Sequence, residues 1–152
     1  MSDIHPVIKK LQFKDHGEAV LVLHAPQAYK SVLNAFQGPV HQEVNQESYP
    51  FAQVFGTSND EIRALGRKAV KVITDDGLLW LCYPKKSSKK YKGTDCSRDT
   101  VAGLLADEGY KPVRQIAIDE DWSALRFRKA SHIKTMVRHF AETEEGKKRT
   151  GK

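Results

Sequence analysis

The sequence predicts an α/β fold: three layers, with a mainly parallel sheet of about five strands between helices. Three observations lead there. Short, mainly apolar runs at 19–24, 51–55 and 78–83 have the composition of strands buried on both faces. Stretches with apolar residues at helical spacing separate these runs, and such alternation calls for parallel pairing with helices on both sides. Finally, two late strands at 112–118 and 123–128 are joined only by the acidic turn Asp119, Glu120, Asp121. So short a link makes them an antiparallel hairpin.

Taken in order, residues 6–11 form a short helix and 19–24 the first strand, bounded by Gly17 and Pro26. Tyr29, Val32, Leu33 and Phe36 recur on one helical face, with Gly38 placed to end it. Residues 37–50 are polar and irregular and read as a surface loop. The strand at 51–55 leads into a helix capped by Ser58 or Asn59, with Asp60 and Glu61 in its first turn where they suit the dipole. Ile62, Leu65, Ala69 and Val72 make its inward face. Asp75-Asp76-Gly77 reads as a turn before the strand at 78–83. A helix from Asp95 or Ser97 turns Val101, Leu104 and Leu105 inward and stops at Gly109. One α/β domain over 1–129 is thus expected. An amphipathic helix over 130–143, striped by Ile133, Met136, Val137 and Phe140, packs on it, and 144–152 is a disordered basic tail.

Length and composition set further bounds. The 152 residues suffice for one domain with its own core, and 39% hydrophobic against 29% charged residues excludes a disordered chain. No apolar run reaches the ~20 residues of a membrane span, and the start has no apolar signal-peptide region. The two cysteines, Cys82 and Cys96, form no framework and read as reduced thiols of a cytoplasmic protein. The six histidines show no paired ligand spacing, so no metal site is expected.

The net charge of +6 is uneven. Residues 83–92 hold five lysines and no acid, residues 128–152 eight basic and three acidic side chains, and the remainder is net acidic. A local basic site binds anions better than a diffuse one. The lysine-rich loop leaves the carboxyl end of a strand, the side on which open parallel sheets hold ligands, and runs into a helix start that favours an anion. Lys85, Lys86, Ser87, Lys89, Lys90 and Arg98 are the candidate anion contacts, with His24 and Trp122 at the rim. The competing reading is a solvated connection that keeps the sheet soluble. Cys96 beside lysines at a helix start should have a lowered pKa and nucleophilic character. In the strand after the hairpin turn, Trp122, Ala124, Arg126 and Arg128 share one face, where the arginines stack on a planar ligand or pair with helix acids.

Gly77, Leu79-Trp80, Tyr83-Pro84-Lys85, Asp95, Arg98-Asp99 and the run from Trp122 to Phe127 together resemble a group of small bacterial proteins of unknown function. The likeness covers about residues 10–129 and implies no established activity. More loosely, "DDGLLWLCYPK" with the following helix and hairpin is similar to the second half of a shortened class I methyltransferase. That resemblance implies strand order 1-2-3-5-4 with strand 5 antiparallel. It also places a departure: His24-Ala-Pro-Gln27 stands where methyltransferases have a Gly-rich loop, and the two strands that would carry the ribose-binding acid are missing. The expectation is a non-catalytic or degenerate methyltransferase-like module, with no cofactor, binding an anionic small molecule or protein segment. The alternatives are a small transferase or hydrolase using His24 or Cys96 on a phosphorylated substrate, and nucleic-acid binding through loop and tail.

Overall fold

The computed structural model of the protein describes residues 5–130, so the helix and tail expected beyond that point lie outside the described residues. A short helix α1 (Pro6–Lys10) leads to strand β1 (Val20–Leu23). A 3-10 turn (Gln27–Tyr29) runs into α2 (Lys30–Leu33), followed by β2 (Val40–His41) and β3 (Tyr49–Phe55). Then come α3 (Asn59–Val70), β4 (Ile73–Pro84), α4 (Arg98–Ala102), β5 (Tyr110–Ala117) and β6 (Trp122–Lys129). The six strands form one sheet in the order β2-β1-β3-β4-β6-β5. β2, β1, β3 and β4 pair in parallel, and β6 runs antiparallel to both its neighbours. No helix among the described residues is long and apolar enough to cross a membrane.

The five expected strands stand in the expected order, and two expectations are corrected. The loop at 37–50 contributes β2, a two-residue strand parallel to β1 at the sheet edge. The sheet thus has six strands rather than about five. Tyr49 closes this segment: its hydroxyl accepts from the Asn45 N–H at 2.9 Å and lies 2.7 Å from His41 Nδ1. The expected turn at Asp75-Asp76-Gly77 is instead a bulge inside one long strand. β3 advances from Tyr49 to Phe51 while β4 advances from Ile73 to Leu78, and Asp76 takes the left-handed φ of 59°. The turn chemistry is real, but it serves a slip in register.

Alternation along β4 divides its residues between two cores. Leu79, Leu81 and Tyr83 join Ile62, Leu65, Ala69, Val101 and Leu105 on the side of α3 and α4. Trp80 and Cys82 join Ile8, Leu11, Tyr29, Val32 and Phe55 on the side of α1 and α2. Gly66 lets α3 lie close on the sheet, since a Cβ there would meet Leu105 Cδ2 at 3.2 Å and Leu81 Cδ2 at 3.3 Å. On the other side the Trp80 indole donates to the Leu11 carbonyl at 3.2 Å, fixing the segment after α1 over the sheet centre.

A polar residue lies at the middle of this apolar sheet. Gln53 on β3 is fully buried; its Oε1 accepts from the Tyr29 hydroxyl at 3.0 Å and its Nε2 donates to Cys82 Sγ at 3.3 Å. Burial holds the Tyr29 phenol far above its ordinary pKa, so it stays a donor. Gln53→Leu would keep the volume but strand the buried Tyr29 hydroxyl, at a cost of about 1–3 kcal/mol. We expect the urea midpoint to fall accordingly, and Gln53→Leu combined with Tyr29→Phe to recover part of the loss. A single variant as stable as the parent would show that the hydroxyl does not depend on Gln53.

Candidate functional site

β1, β3 and β4 run parallel, so their carboxyl ends open on the same side. His24 follows β1 with φ of 59°, a left-handed conformation unusual for a residue with a Cβ. Its Nδ1 lies 3.1 Å from Glu61 Oε2. Glu61 stands in the first turn of α3, which Ser58 caps by accepting from the Glu61 N–H at 3.2 Å. The other carboxylate oxygen accepts from the Thr57 N–H at 2.8 Å. That bond holds the Glu61 carboxyl below its ordinary pKa; partial burial opposes it, and His24 adds to it. β3 enters this corner through Gly56, where a Cβ would stand 2.6 Å from Ile62 Cγ1. Only glycine lets the strand pass so close beneath α3.

The lysine-rich loop is fastened at both ends. At its start the Lys85 N–H donates to the Asp121 carbonyl at 2.8 Å, and the buried Ser88 hydroxyl donates to Asp121 Oδ1 at 2.8 Å. The same Ser88 Oγ accepts from the N–H groups of Lys90 and Tyr91 at 3.2 and 3.1 Å. At its far end the Thr94 hydroxyl donates to the Thr57 carbonyl at 2.8 Å, and Asn59 donates to Asp95 through N–H and Nδ2, each at 2.9 Å. Between these fastenings Tyr91 lies edge-on to Trp122 with centroids 5.0 Å apart, and Trp122 lies on Phe55 at 5.1 Å.

Two open hollows result. One, of about 190 Å³, is lined by His24, Pro26, Thr57, Glu61, Tyr91 and Trp122 among others. The other, of about 420 Å³, is lined by Thr57, Lys90, Tyr91, Lys92, Gly93 and Thr94. Thr57 and Tyr91 belong to both, so the hollows adjoin.

Of the residues expected to act together, the structure brings His24 and Trp122 to the first hollow and Lys90 to the second. Lys85, Lys86, Ser87, Lys89 and Arg98 line neither. Lys86 lies near Cys96, and Arg98 near Tyr83, where the exposed guanidinium is 4.0 Å from Asp99. Glu61, Thr57, Tyr91 and Lys92 line the hollows without being among the expected contacts. Tyr91 carried a signal, as the one aromatic between lysines; Glu61 read only as an acid suited to a helix start.

Cys96 also departs from expectation. It is fully buried, and desolvation pushes its thiol up rather than down, outweighing the lowering by Thr94 and Lys86. Cys82 is likewise buried and raised. Neither has the exposed thiolate of a nucleophile.

The fold is that of known methyltransferases. The chain is similar to a SAM-dependent methyltransferase from Aquifex aeolicus, with TM-score 0.59 and 15% identity over 80% of this chain and 86% of that one. It is also similar to the N-methyltransferase NodS from Bradyrhizobium japonicum WM9, with TM-score 0.53 and 14% identity over 81% and 92% of the two chains. No protein-family model and no curated protein sequence matches it.

The residues at the end of β1 do not fit the cofactor this fold implies. A Gly-rich loop offers S-adenosylmethionine bare backbone and free N–H groups. Here His24 turns a side chain toward Glu61, Ala25 carries a Cβ, and Pro26 has no N–H. No step through that cofactor follows from this site.

The burial of both thiols makes a direct expectation. In the native protein neither Cys82 nor Cys96 should react with a disulfide reagent at the rate of a free thiol, and both should react once urea unfolds the chain. Rapid native labelling of Cys96 would restore it as a candidate nucleophile.

Proposed function

We propose that the protein is a non-catalytic module of methyltransferase fold that binds an anionic small molecule through its lysine-rich loop. One observation carries this reading: the hollow bordered by Lys90 and Lys92 adjoins the aromatic wall of Tyr91 and Trp122 at the carboxyl end of the sheet. The ammonium groups attract the charge, while Tyr91 and Trp122 offer flat apolar surface to the rest of the ligand. His24 and Glu61, paired with each other at 3.1 Å, close the far side. The reading gives the loop's charge to its second half, Lys90 and Lys92. Lys85 and Lys86 then serve solubility.

A specific observation favours one other reading. An imidazole held by a carboxylate is the pairing of a general base with its orienting group, so a transferase or hydrolase acting on a phosphorylated substrate has His24 and Glu61 in its support. Such an enzyme would turn substrate over. A binding module would not.

A thermal-shift panel of inorganic phosphate, nucleotides, sugar phosphates, small carboxylates, S-adenosylmethionine and a short oligonucleotide, at low and high salt, tests the proposal. A ligand at ~100 times its Kd stabilises by ~2.7 kcal/mol, a readily measured rise in Tm. The rise should vanish in Lys90→Ala/Lys92→Ala and persist in Lys85→Ala/Lys86→Ala. The reverse pattern would overturn the assignment of the site. A response to the oligonucleotide alone, lost at high salt, would replace it with nucleic-acid binding.

A further inference from the structure

The hairpin also gathers three arginines on one face. In the β5–β6 register Arg114 stands opposite Arg126, and Lys111 opposite Arg128. The pairing of Arg114 with Arg126 depends on a bulge. Pro112 pairs with Phe127 and Arg114 with the very next residue, which leaves Val113 extra and partly exposed. Without the bulge Val113, not Arg114, would face Arg126. On its other side Arg126 pairs with Trp80, so its side chain leaves the sheet on the face where the fully buried Trp80 indole lies.

The arginines are not alike. Arg128 is held by both oxygens of Asp76: Nε donates to Oδ1 at 2.8 Å and Nη2 to Oδ2 at 2.7 Å. That fork engages Asp76, the carboxylate whose charge acts on Arg126. Arg126 Nε is buried without a hydrogen-bond partner. Among the described residues neither Arg114 nor Arg126 forms an ion pair. Burial, reinforced by Arg128 and Arg114 and opposed by Asp76, lowers the pKa of the Arg126 guanidinium. A sheet that spends a bulge to set a second guanidinium against one whose Nε is buried and unsatisfied lacks a negative charge there.

The geometry points to an oxyanion site at Arg126 and Arg114, backed by Arg128, which takes a phosphate or carboxylate group. Guanidinium suits this better than ammonium, because its planar fork matches two oxygens at once and it is always charged. Arg126 would give its buried Nε–H and Arg114 would close from the adjacent strand. Arg128, fixed by Asp76, would add charge without giving up its own partner. The site goes beyond the lysine loop reading and shares no residue with it.

The test is a titration of the full ¹⁵N-labelled chain with sodium phosphate and, separately, sodium acetate. Sodium chloride holds the ionic strength constant, and the Nε–Hε correlations of the arginines are the readout. We expect the Arg126 signal to move and saturate with either anion; which one saturates it tells a phosphate from a carboxylate. Arg114→Gln should weaken the binding about tenfold, the loss of one charge-assisted hydrogen bond. Arg126→Lys, which keeps the charge and removes the Nε–H, should weaken it similarly should Arg114→Gln fail to fold. Lys90→Ala/Lys92→Ala should leave it unchanged. Signals that follow ionic strength alone, or a saturable response lost in the lysine variant, would overturn the assignment.

Discussion

A stretch of strand buried on both faces can carry no charge. The second half of β4 is such a stretch: Leu79, Trp80, Leu81 and Cys82 are fully excluded from water, and their side chains feed both cores in turn. An unpaired ammonium among them would cost far more than a domain's net stability allows. The lysines therefore begin only after Pro84. The same rule explains Gln53, a polar side chain in the middle of the sheet. It survives there because Tyr29 and Cys82 take both ends of its amide.

Charge at a strand end is ordinary; charge held in a defined loop is not. Repulsion among five lysines would open the segment, and Ser88 opposes this. Its hydroxyl is buried against Asp121 and gathers the N–H groups of two following residues. The hairpin turn thereby determines where the lysine loop goes, and Tyr91 reaches Trp122 as a consequence. The hairpin thus shapes the candidate site without lending it a charged group.

Much of this fold was legible in the sequence because burial on both faces writes itself as mainly apolar runs. β1, β3 and the hydrophobic half of β4 announce themselves so, and the hairpin by its short link. β2 was not legible: Val40-His41 is two residues long, and its pairing with Val20-Leu21 is a long-range event with no local pattern. The bulge at Asp76 was misread for the opposite reason, since the local chemistry is that of a turn and only the register with β3 shows the strand continuing. The site was harder still. Glu61 meets His24 across 37 residues of chain, and the local reading of each gave a helix-start acid and a strand-end histidine. Cys96 shows the limit most sharply. Its neighbours argue for a low pKa, and burial, which sequence does not report, decides the matter the other way.

The two cationic places differ in what they can discriminate. Lysines 90 and 92 present point charges on flexible stems around an open hollow, an arrangement tolerant of ligand shape. Arg126 presents one Nε–H whose position is fixed by the sheet beneath it, with Arg114 brought opposite by a bulge and Arg128 locked by Asp76. Rigid donors lose little freedom on binding and demand a matching geometry. A ligand's affinity at the loop should accordingly follow its total charge. At the arginines it should follow the shape of the oxyanion, so that two anions of equal charge are ranked differently by the two ends of the same sheet.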